Sequence, residues 1–499
     1  MSGAQTLQIY RMHIGGRDVD ALSGQTMTSI DPTTGRPWAQ LPLASEPDVD
    51  RAVQEAAAAF EHGSPWRSLS PTRRGRLLSA LAAQIAANAR AIAEIEVRDN
   101  GKLMREMHAQ LQALPDWLVY FAGLADKIEG RTIPLDRTSV LNYTQREPLG
   151  VVAVITPWNS PSLLTTMALA PALAAGNTVV VKPSEESSAS LLEIAKLLEP
   201  AGFPPGVVNV ITGGRELGRA LVAHESVAKV SFTGGEATGR AVAAAASEHI
   251  APLTLELGGK SANIVFEDAD REAAEAGLIA GIYAAGGQSC IAGSRALIQR
   301  SIYEEMVERI RARAEAIVLG DPMAEATQMG PVATVSQLQR IESSVGRARE
   351  DGARILCGGS RAEVAGFPGG LFYRPTVIAD VANDSWIAQE EIFGPVLCLI
   401  PFEDESEAVA LANATRYGLA AGLWTANLRR AHRVARQLDA GTVWINMYRA
   451  LTFNSPFGGY KRSGLGRLNG AEAVDEFLQT KSIWVELDEA VQDPFVLRV

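Results

Sequence analysis

The 499-residue sequence has only three cysteines, Cys290, Cys357 and Cys398, which lie far apart without any Cys-x-x-Cys spacing. A disulfide framework or a zinc cluster is therefore not expected, and unpaired thiols favour a reducing cytoplasm. The six histidines are scattered as well, with no spacing typical of paired metal ligands. The sequence predicts a cytoplasmic protein without a bound metal.

Other features are missing too. The first residues show no basic segment followed by an apolar run, so no signal peptide is expected. The longest apolar stretch, "TTMALAPALAAGNTVVVK", is interrupted by Pro171, Gly176 and Asn177 before it reaches the length of a membrane span. The net charge of −11 argues against a nucleic-acid binder. We expect neither a membrane nor a nucleic acid as partner.

What is present is the composition of an ordinary globular protein, with 47% hydrophobic and 21% charged residues. A chain of this length is too long for one compact core and predicts two or three domains. Residues 48–127 carry apolar positions at helical spacing, with Gly101 as a stop signal.

Residues 151–257 alternate short runs rich in Val and Ile with helical stretches, which predicts βαβ units of a buried parallel sheet. A second alternating region spans residues 261–446. Two further strands, near "TSVLNYTQREP" and "KSIWVEL", lie outside both regions, and without an obvious local partner they could pair between subunits.

Polar residues and glycines cluster where the strands of the first region end, as expected for a ligand crevice at the carboxyl edge of a parallel sheet. Lys182 and Glu185, in "KPSEES", could donate to and accept from ribose hydroxyls. The same residues also fit a solvated strand end with Ser184 as a helix cap. "FTGGEATG" opens a helix whose N–H groups could bind phosphate near Gly234 and Gly235, although it is not a Gly-x-Gly-x-x-Gly motif.

Two residues could carry chemistry directly. Glu256 ends an apolar strand in "LELGGKS", where desolvation would raise its pKa and suit it to act as a general base; a purely structural glutamate is the alternative. Cys290, in "GGQSCIAGS", has small neighbours that permit close approach to a nucleophile, although a lone cysteine is usually a buried filler. In "EEIFGPV", an acid could bind a sugar hydroxyl and Phe393 could pack on a ring, or both could be structural.

Several of these weak signals occur together and in order. The set resembles the hydrolytic, NAD(P)-dependent branch of the aldehyde dehydrogenase superfamily over roughly residues 15–485, through the motifs "TPWNSP", "KPSEES", "FTGG", "LELGGKS", "GGQSC", "EEIFGPV" and "SPFGGYKRSG".

The resemblance implies an α/β fold with a Rossmann-type parallel-sheet cofactor domain, an α/β catalytic domain and a small β oligomerisation hairpin. The corresponding ranges are 1–127 and 148–258 for the NAD-binding domain, 259–463 for the catalytic domain, and 128–147 with 464–499 for the oligomerisation elements. A homodimer or homotetramer is the implied assembly.

The resemblance also implies roles for three catalytic residues. Cys290 attacks an aldehyde to give a thiohemiacetal, and Asn159 with the Cys290 backbone N–H holds the oxyanion. Glu256 activates the water that hydrolyses the thioester formed after hydride transfer. The implied cofactor-binding residues are Ile155, Trp158, Lys182, Glu185, Gly234, Gly235, Glu391 and Phe393. Because Glu185 would repel a 2′-phosphate, NAD is favoured, with NADP as the alternative.

By the same correspondence the substrate pocket is formed by Ser160, Leu164, Met167, Ser289, Ile291, Arg449, Leu451 and Phe457. This lining is mostly apolar and predicts a medium-sized aliphatic or aromatic aldehyde. Arg449 could attract an anionic tail or be merely solvated. Two positions depart from many relatives: Gly235 replaces a serine, and Leu468 replaces a glutamate, so a proton relay through a second carboxylate is not expected.

Three other functional classes compete with this interpretation. A coenzyme A-acylating dehydrogenase is disfavoured by Glu256, since such enzymes generally lack that base. A non-catalytic binding or structural protein of the same fold is disfavoured by the presence of Cys290, Glu256 and Asn159 together. A cysteine hydrolase is disfavoured because no histidine lies near Cys290 in the sequence.

Overall fold

The computed structural model describes residues 7–488 and Phe495; the remaining residues of the predicted ranges 1–127 and 464–499 lie outside it. The strands, in chain order, are β1 (Gln8–Ile9), β2 (Met12–Ile14), β3 (Arg17–Val19), β4 (Thr26–Asp31), β5 (Arg36–Pro42), β6 (Thr132–Ile133), β7 (Val140–Pro148), β8 (Val151–Thr156), β9 (Thr178–Pro183), β10 (Val208–Val210), β11 (Val227–Thr233), β12 (Leu253–Glu256), β13 (Ala262–Val265), β14 (Arg295–Gln299), β15 (Arg354–Cys357), β16 (Thr376–Ala379), β17 (Val396–Phe402), β18 (Tyr417–Gly418), β19 (Ala420–Trp424), β20 (Thr442–Ile445), β21 (Tyr460–Lys461), β22 (Gly464–Leu465) and β23 (Leu478–Glu486). The α-helices are α1 (Glu46–Phe60), α2 (Pro71–Asn100), α3 (Met104–Leu124), α4 (Pro161–Ala175), α5 (Ala189–Ala195), α6 (Arg215–Ala223), α7 (Glu236–Ser247), α8 (Arg271–Tyr283), α9 (Tyr303–Glu315), α10 (Val335–Glu350), α11 (Trp386–Gln389), α12 (Glu405–Asn413) and α13 (Leu428–Gln437).

The first large sheet has the order β22-β12-β11-β8-β9-β10-β2-β3. Its five central strands run parallel, and β22 and β2 pair antiparallel at the two sides. Every residue of β8 and β9 is buried, as their continuous Val and Ile runs predicted. The strands and helices predicted for residues 151–257 are confirmed. The carboxyl ends of β8, β9, β11 and β12 therefore share one edge of the sheet.

The second large sheet has the order β15-β16-β17-β14-β13-β19-β20. All its pairs are parallel except β15 with β16 at one side. Six of these seven strands were predicted for residues 261–446; β15 was not predicted. The loops that leave β12 and enter β14 place segments of this half next to the strand ends of the first sheet.

The predicted helical region consists of α1, α2 and α3. Ser45 and Asp48 form a capping box at the start of α1. The stop predicted at Gly101 is confirmed: Gly101 has φ of 74°, in the left-handed region, and its N–H donates to the Val97 carbonyl at the end of α2. This turn connects α2 to α3, which begins at Met104.

The two strands predicted outside both regions, β7 and β23, pair with each other antiparallel over nine residue pairs, from Leu478–Pro148 to Glu486–Val140. The sequence showed no obvious local partner for either strand, and each finds the other more than 300 positions away in the same chain. Together with β6 they form a separate three-stranded sheet. The short strand β22, next to β23 in sequence, belongs instead to the first large sheet.

The amino-terminal strands β1–β5 were not predicted. They are short, and β1, β3 and β4 are largely exposed, so they carry no continuous apolar pattern. Within the described residues, no helix combines the length and apolar character needed to cross a membrane.

Candidate active site

The candidate site lies at the carboxyl edge of the first sheet. Strand β8 ends at Thr156 and is followed by the segment Trp158–Ser160, here called the oxyanion loop, which leads into α4. On the next two strands of the sheet, Thr233 of β11 pairs with Glu256 of β12, so these two strands end side by side. The chain reaches Cys290 through a turn at residues 284–290 after α8, here called the nucleophile loop.

Glu256 is buried, with only 3% of its surface exposed, and among residues 7–488 and 495 neither carboxylate oxygen has a hydrogen-bond partner. Burial raises the pKa of Glu256 well above its ordinary value; the charge of Arg467 opposes this shift and that of Glu476 adds to it. Its main chain is fixed on both sides by β11 and by Gly464 of β22. A rigidly held carboxyl group with unpaired oxygens and a raised pKa can accept a proton from water.

The nucleophile loop has an unusual backbone. Ala285, Gly286 and Gly287 have φ angles of 55°, 60° and 72°, three consecutive residues in the left-handed region. A side chain at Gly287 would overlap the Gly394 carbonyl, so glycine is required there. This turn reverses the chain after α8 and directs Cys290 towards the crevice.

Cys290 is partly exposed, as a reactive group must be, whereas Cys398 is fully buried within β17. The pKa of the Cys290 thiol is raised to about 12, mainly by burial and in addition by the carboxylates of Glu256 and Glu391. The backbone N–H groups of Ile291 and Cys290 act in the opposite direction. The sulfur and the Glu256 carboxylate are therefore close enough for their charges to interact.

Asn159 is 6% exposed and precedes the first turn of α4. Its Nδ2 donates to the Gln288 carbonyl at 3.0 Å, two residues before Cys290. An amide group has two N–H donors, so one remains for a ligand. The amino end of α4 also favours negative charge at this position. The oxyanion loop and the nucleophile loop thus meet through Asn159.

Lys182 and Glu185 lie at the end of β9. Lys182 is 4% exposed and its Nζ lies 3.4 Å from the Glu185 Oε2. Burial lowers the pKa of Lys182, while Glu185 raises it. Ser184 does not cap α5, since its hydroxyl only accepts from the Glu186 N–H. The pair can offer one donor and one acceptor to a diol.

Gly234 and Gly235 connect β11 to the amino end of α7. A Cβ at Gly234 would lie 2.5 Å from the Phe232 ring, so only glycine fits there, whereas Gly235 faces open space. The space beside Gly235 and the free N–H groups at the start of α7 can accommodate an anionic group. Ile155 is buried on the neighbouring β8 and Trp158 follows it.

The two acids of "EEIFGPV" have different partners. Glu390 forms two hydrogen bonds with Arg416, at 2.8 and 2.7 Å, and is structural. Glu391 Oε1 accepts from the Gly259 N–H at 3.1 Å, and burial raises its pKa to about 7. Phe393 meets Trp158 edge to face, with ring centroids 5.4 Å apart. Glu391 and Phe393 share a small cavity with Ser289.

The apolar residues of the predicted substrate pocket share one hydrophobic cluster that also contacts Cys290: Leu164, Met167, Ile291, Leu451 and Phe457. Leu468, which pairs with Phe457, belongs to the same cluster and is 1% exposed. A carbon side chain therefore occupies position 468, which offers no carboxylate to the site.

Three polar residues complete the predicted pocket: Ser160, Ser289, which lines the small cavity with Glu391, and Arg449. Ser160 is buried and its Oγ accepts from the Lys102 Nζ at 2.6 Å. Arg449 has φ of 66° and its Nη1 donates to the Ala280 carbonyl at 3.2 Å. Burial has the largest effect on the pKa of Lys102 and lowers it, and Glu106 raises it. The charge of Arg449 has the third-largest effect and also lowers this pKa. Arg449 is therefore held near the pocket rather than fully solvated.

Sequence reasoning missed Lys102, Glu106, Arg467 and Glu476 around this site. Lys102 follows the helix-stopping Gly101, and a charged residue directly after a predicted helix end was the only local signal. Glu476 Oε2 accepts from Thr254 Oγ1 at 3.0 Å and lies 3.3 Å from Lys229 Nζ, behind the strand that ends at Glu256. No sequence pattern marks that contact.

The fold and the site define an α/β enzyme with two sheets, whose crevice collects a thiol, a buried carboxyl group and a side-chain amide. The family model described as the aldehyde dehydrogenase family matches residues 19–483. The chain belongs to this family, which confirms the resemblance, the fold class and the assignment as an aldehyde oxidoreductase.

Individual relatives agree with this assignment. The (Z)-2-((N-methylformamido)methylene)-5-hydroxybutyrolactone dehydrogenase of Acinetobacter baylyi is 44% identical over 495 residues, covering 99% of this chain and 100% of the relative. The betaine aldehyde dehydrogenase of Cereibacter sphaeroides is 42% identical over 473 residues, covering 95% and 96%. The structure of a Bacillus cereus aldehyde dehydrogenase in complex with NAD+ has a TM-score of 0.94 and 42% identity, covering 96% of this chain and 97% of that one.

Proposed function

We propose that this protein oxidises an aldehyde to the carboxylic acid with NAD, through a thioester on Cys290. The observation that carries the proposal is the convergence of the Cys290 thiol, the unpartnered Glu256 carboxyl group and the Asn159 amide at one sheet edge. Each supplies one function that the reaction needs: a nucleophile, a base and an oxyanion donor.

In the first step the Cys290 thiol loses its proton to water, and the sulfur forms a bond to the aldehyde carbon. The carbonyl oxygen becomes an oxyanion, which receives the second N–H of Asn159 and the backbone N–H of Cys290. A single such donor typically contributes about 3–4 kcal/mol to transition-state stabilisation. The amino end of α4, next to Asn159, adds a favourable dipole.

The residues present fit NAD. Lys182 and Glu185 would hold the adenosine ribose, while Gly234, Gly235 and the start of α7 would receive the pyrophosphate, next to Trp158 and Ile155. Glu391 and Phe393 would contact the nicotinamide end of the cofactor. Bound NAD would supply the hydride acceptor, and loss of hydride from the thiohemiacetal carbon would leave a thioester on Cys290.

Glu185 also favours NAD over NADP, because its carboxylate, 43% exposed in the side chain, would repel a 2′-phosphate. NADP remains the alternative that a direct comparison of the two cofactors tests.

In the last step Glu256 takes a proton from water, and the resulting hydroxide attacks the thioester carbon. The carbon–sulfur bond breaks, the carboxylic acid leaves and Cys290 is regenerated. The buried environment of Glu256 supports this role, because a raised pKa increases the strength of the carboxylate as a base. Leu468 offers no second carboxylate, so Glu256 acts without a relay at that position.

For the substrate we propose a medium-sized aliphatic or aromatic aldehyde. The apolar cluster around Cys290 supports a carbon chain or ring next to the reacting group. The named substrates of two relatives at 44% and 42% identity differ, a hydroxylactone and betaine aldehyde, so overall identity does not choose between substrates.

We further propose the domain division given above, residence in the cytoplasm, and a homodimer or homotetramer built through β23. Exposed apolar side chains on β7 and β23 support the assembly, with Trp484 64% exposed. The free cysteines support a reducing compartment.

The deciding experiment is an aldehyde panel followed by the absorbance of NADH, with NAD and NADP compared and coenzyme A added or omitted. We expect NADH from at least one aliphatic or aromatic aldehyde without coenzyme A. Absence of NADH with every aldehyde would contradict the proposed function. A strict requirement for coenzyme A would identify an acylating dehydrogenase instead.

A further inference from the structure

The oxyanion loop is held from outside by the turn between α2 and α3. Asn100 Nδ2 donates to the Trp158 carbonyl at 3.4 Å, and Lys102 Nζ donates to Ser160 Oγ at 2.6 Å. Trp158 and Ser160 are the two neighbours of Asn159. The amide proposed to bind the oxyanion therefore lies between two anchored residues.

The turn that supplies these contacts is itself tightly fixed. The Lys102 N–H donates to Asn100 Oδ1 at 3.0 Å. Gly101 has positive φ, and a Cβ there would lie 2.6 Å from the Pro331 side chain. Asn100 and Lys102 are 1% and 5% exposed. The ammonium group consequently cannot swing away to solvent without breaking packed structure.

The same turn also contacts the nucleophile loop. Glu106, four residues after Lys102, accepts from the Ala285 N–H at 3.3 Å. Ala285 begins the left-handed run that leads to Cys290. The segment from Lys102 to Glu106 thus contacts both loops. Lys102 contacts the oxyanion loop, and Glu106 contacts the nucleophile loop.

The charges around Lys102 come from several elements. Burial lowers the pKa of Lys102 to about 8; Glu106, Glu96 and Cys290 oppose this shift and Arg449 adds to it. Lys102 is therefore mostly charged at pH 7 and loses its charge above pH 8.

The charged side chains with the largest effect on the pKa of Cys290 are both carboxylates. The carboxylates of Glu256 on β12 and Glu391 both disfavour a thiolate. Lys102 reaches the same site through its hydrogen bond to Ser160, the neighbour of Asn159, and Cys290 is among the groups that raise the pKa of Lys102.

We propose that Lys102 is a positioning residue of the oxyanion pocket, whose ammonium group fixes Ser160 and thereby Asn159, and whose charge stabilises the anionic sulfur of Cys290 and the oxyanion of the bound aldehyde. The oxyanion part rests on the proposed function. The sulfur part does not, because it concerns the reactivity of Cys290 in the protein without substrate.

The first experiment measures Cys290 alkylation by iodoacetamide between pH 6 and 10, with the modified peptide quantified by mass spectrometry. The thiolate is the reacting form, so the rate reports its fraction. Lys102→Met and Lys102→Gln should lower the rate at pH 7 by about threefold or more, corresponding to about half a pKa unit or more. The difference from wild type should shrink above pH 9, where Lys102 is neutral. Lys127→Met, which removes an exposed lysine paired with Asp126, is the matched control and should alkylate like wild type.

Lys102→Arg separates charge from shape. Arginine keeps its charge throughout this range, so the variant should retain the wild-type rate at pH 7 and exceed it above pH 9. If circular dichroism shows that the uncharged variants do not fold, the comparison of Lys102→Arg with wild type above pH 9 still tests the effect of the charge on the alkylation rate. A rate for Lys102→Arg as low as that of the uncharged variants at pH 7, or equal rates for all folded variants at every pH, would overturn the proposal.

The second experiment is steady-state kinetics with an aldehyde that the wild type oxidises. Because the oxyanion exists only after attack, Lys102→Met should lower kcat by about tenfold or more with a smaller change in KM. A change confined to KM would assign Lys102 to substrate binding and overturn the oxyanion part. If the wild type oxidises no aldehyde, the proposed function fails while the alkylation result still decides the sulfur part.

Discussion

Replacing Glu256 by glutamine should separate the two halves of the reaction. The substitution keeps the size and shape of the side chain but removes the group proposed to activate water. Attack by Cys290 and formation of the thioester need no base at this position, so one NADH should still form per active site. Steady-state turnover should fall by about 10²–10⁴-fold, the range that general-base catalysis typically contributes.

The same substitution should stabilise the fold. Because burial raises the pKa of Glu256 in the folded state above its unfolded value, the folded state holds this proton more tightly. The stability that the folded state gains from holding this proton is fully present below the unfolded pKa of Glu256. It is lost as the pH rises through the folded pKa. Each unit of difference costs the ionised, folded enzyme about 1.4 kcal/mol. Glu256→Gln removes this cost, so its advantage over wild type should grow with pH.

Stopped-flow absorbance of NADH and thermal melting at pH 5 and pH 8 measure the two effects. At pH 8 we expect a higher Tm for Glu256→Gln, by about 1 °C for each 1 kcal/mol in a chain of 499 residues, and little difference at pH 5. Glu248→Gln, at an exposed glutamate near the end of α7, controls for loss of a surface charge. Unchanged steady-state turnover would refute the role of Glu256, and a lower Tm at pH 8 would refute the reasoning about its burial.

Three further predictions concern the nucleophile, the cofactor and the assembly. Cys290→Ala should abolish aldehyde oxidation while NAD binding, measured by calorimetry, stays near the wild-type affinity; retained turnover would remove Cys290 from the mechanism. Glu185→Gln should lower the KM for NADP by about tenfold, because a carboxylate facing the 2′-phosphate is neutralised, and an unchanged KM would place that ribose elsewhere. Trp484→Glu should shift the species seen by light scattering towards the monomer, since a charge replaces an exposed apolar side chain on β23; an unchanged mass would exclude β23 from the interface.

Much of the local structure was predictable because it depends on short-range patterns. The buried runs of β8 and β9, the helical spacing of α2 and the stop at Gly101 each follow from residues within one or two turns of each other. The chemistry was predictable in the same way for Glu256 and Cys290, where a strand end and a group of small residues mark suitable positions. The membership in the aldehyde dehydrogenase family required several such motifs in order.

Other features depend on which distant segments meet. The pairing of β7 with β23 joins residues more than 300 positions apart, and neither strand identifies the other by its own pattern. The strands β1, β3 and β4 lack an apolar period because they are largely exposed, and β2 is only three residues long.

The candidate site shows the same division. The sequence by itself determined which residue types stand at the strand ends and in the turns: a thiol, a carboxylate, an amide and flexible glycines. Only the tertiary structure decided that Lys102, 188 positions before Cys290, lies beside Ser160 and that Glu256 is left buried without a partner. The physical reason is that burial and charge depend on all surrounding segments, so a pKa or a contact is set by the packed fold and not by neighbours in the chain.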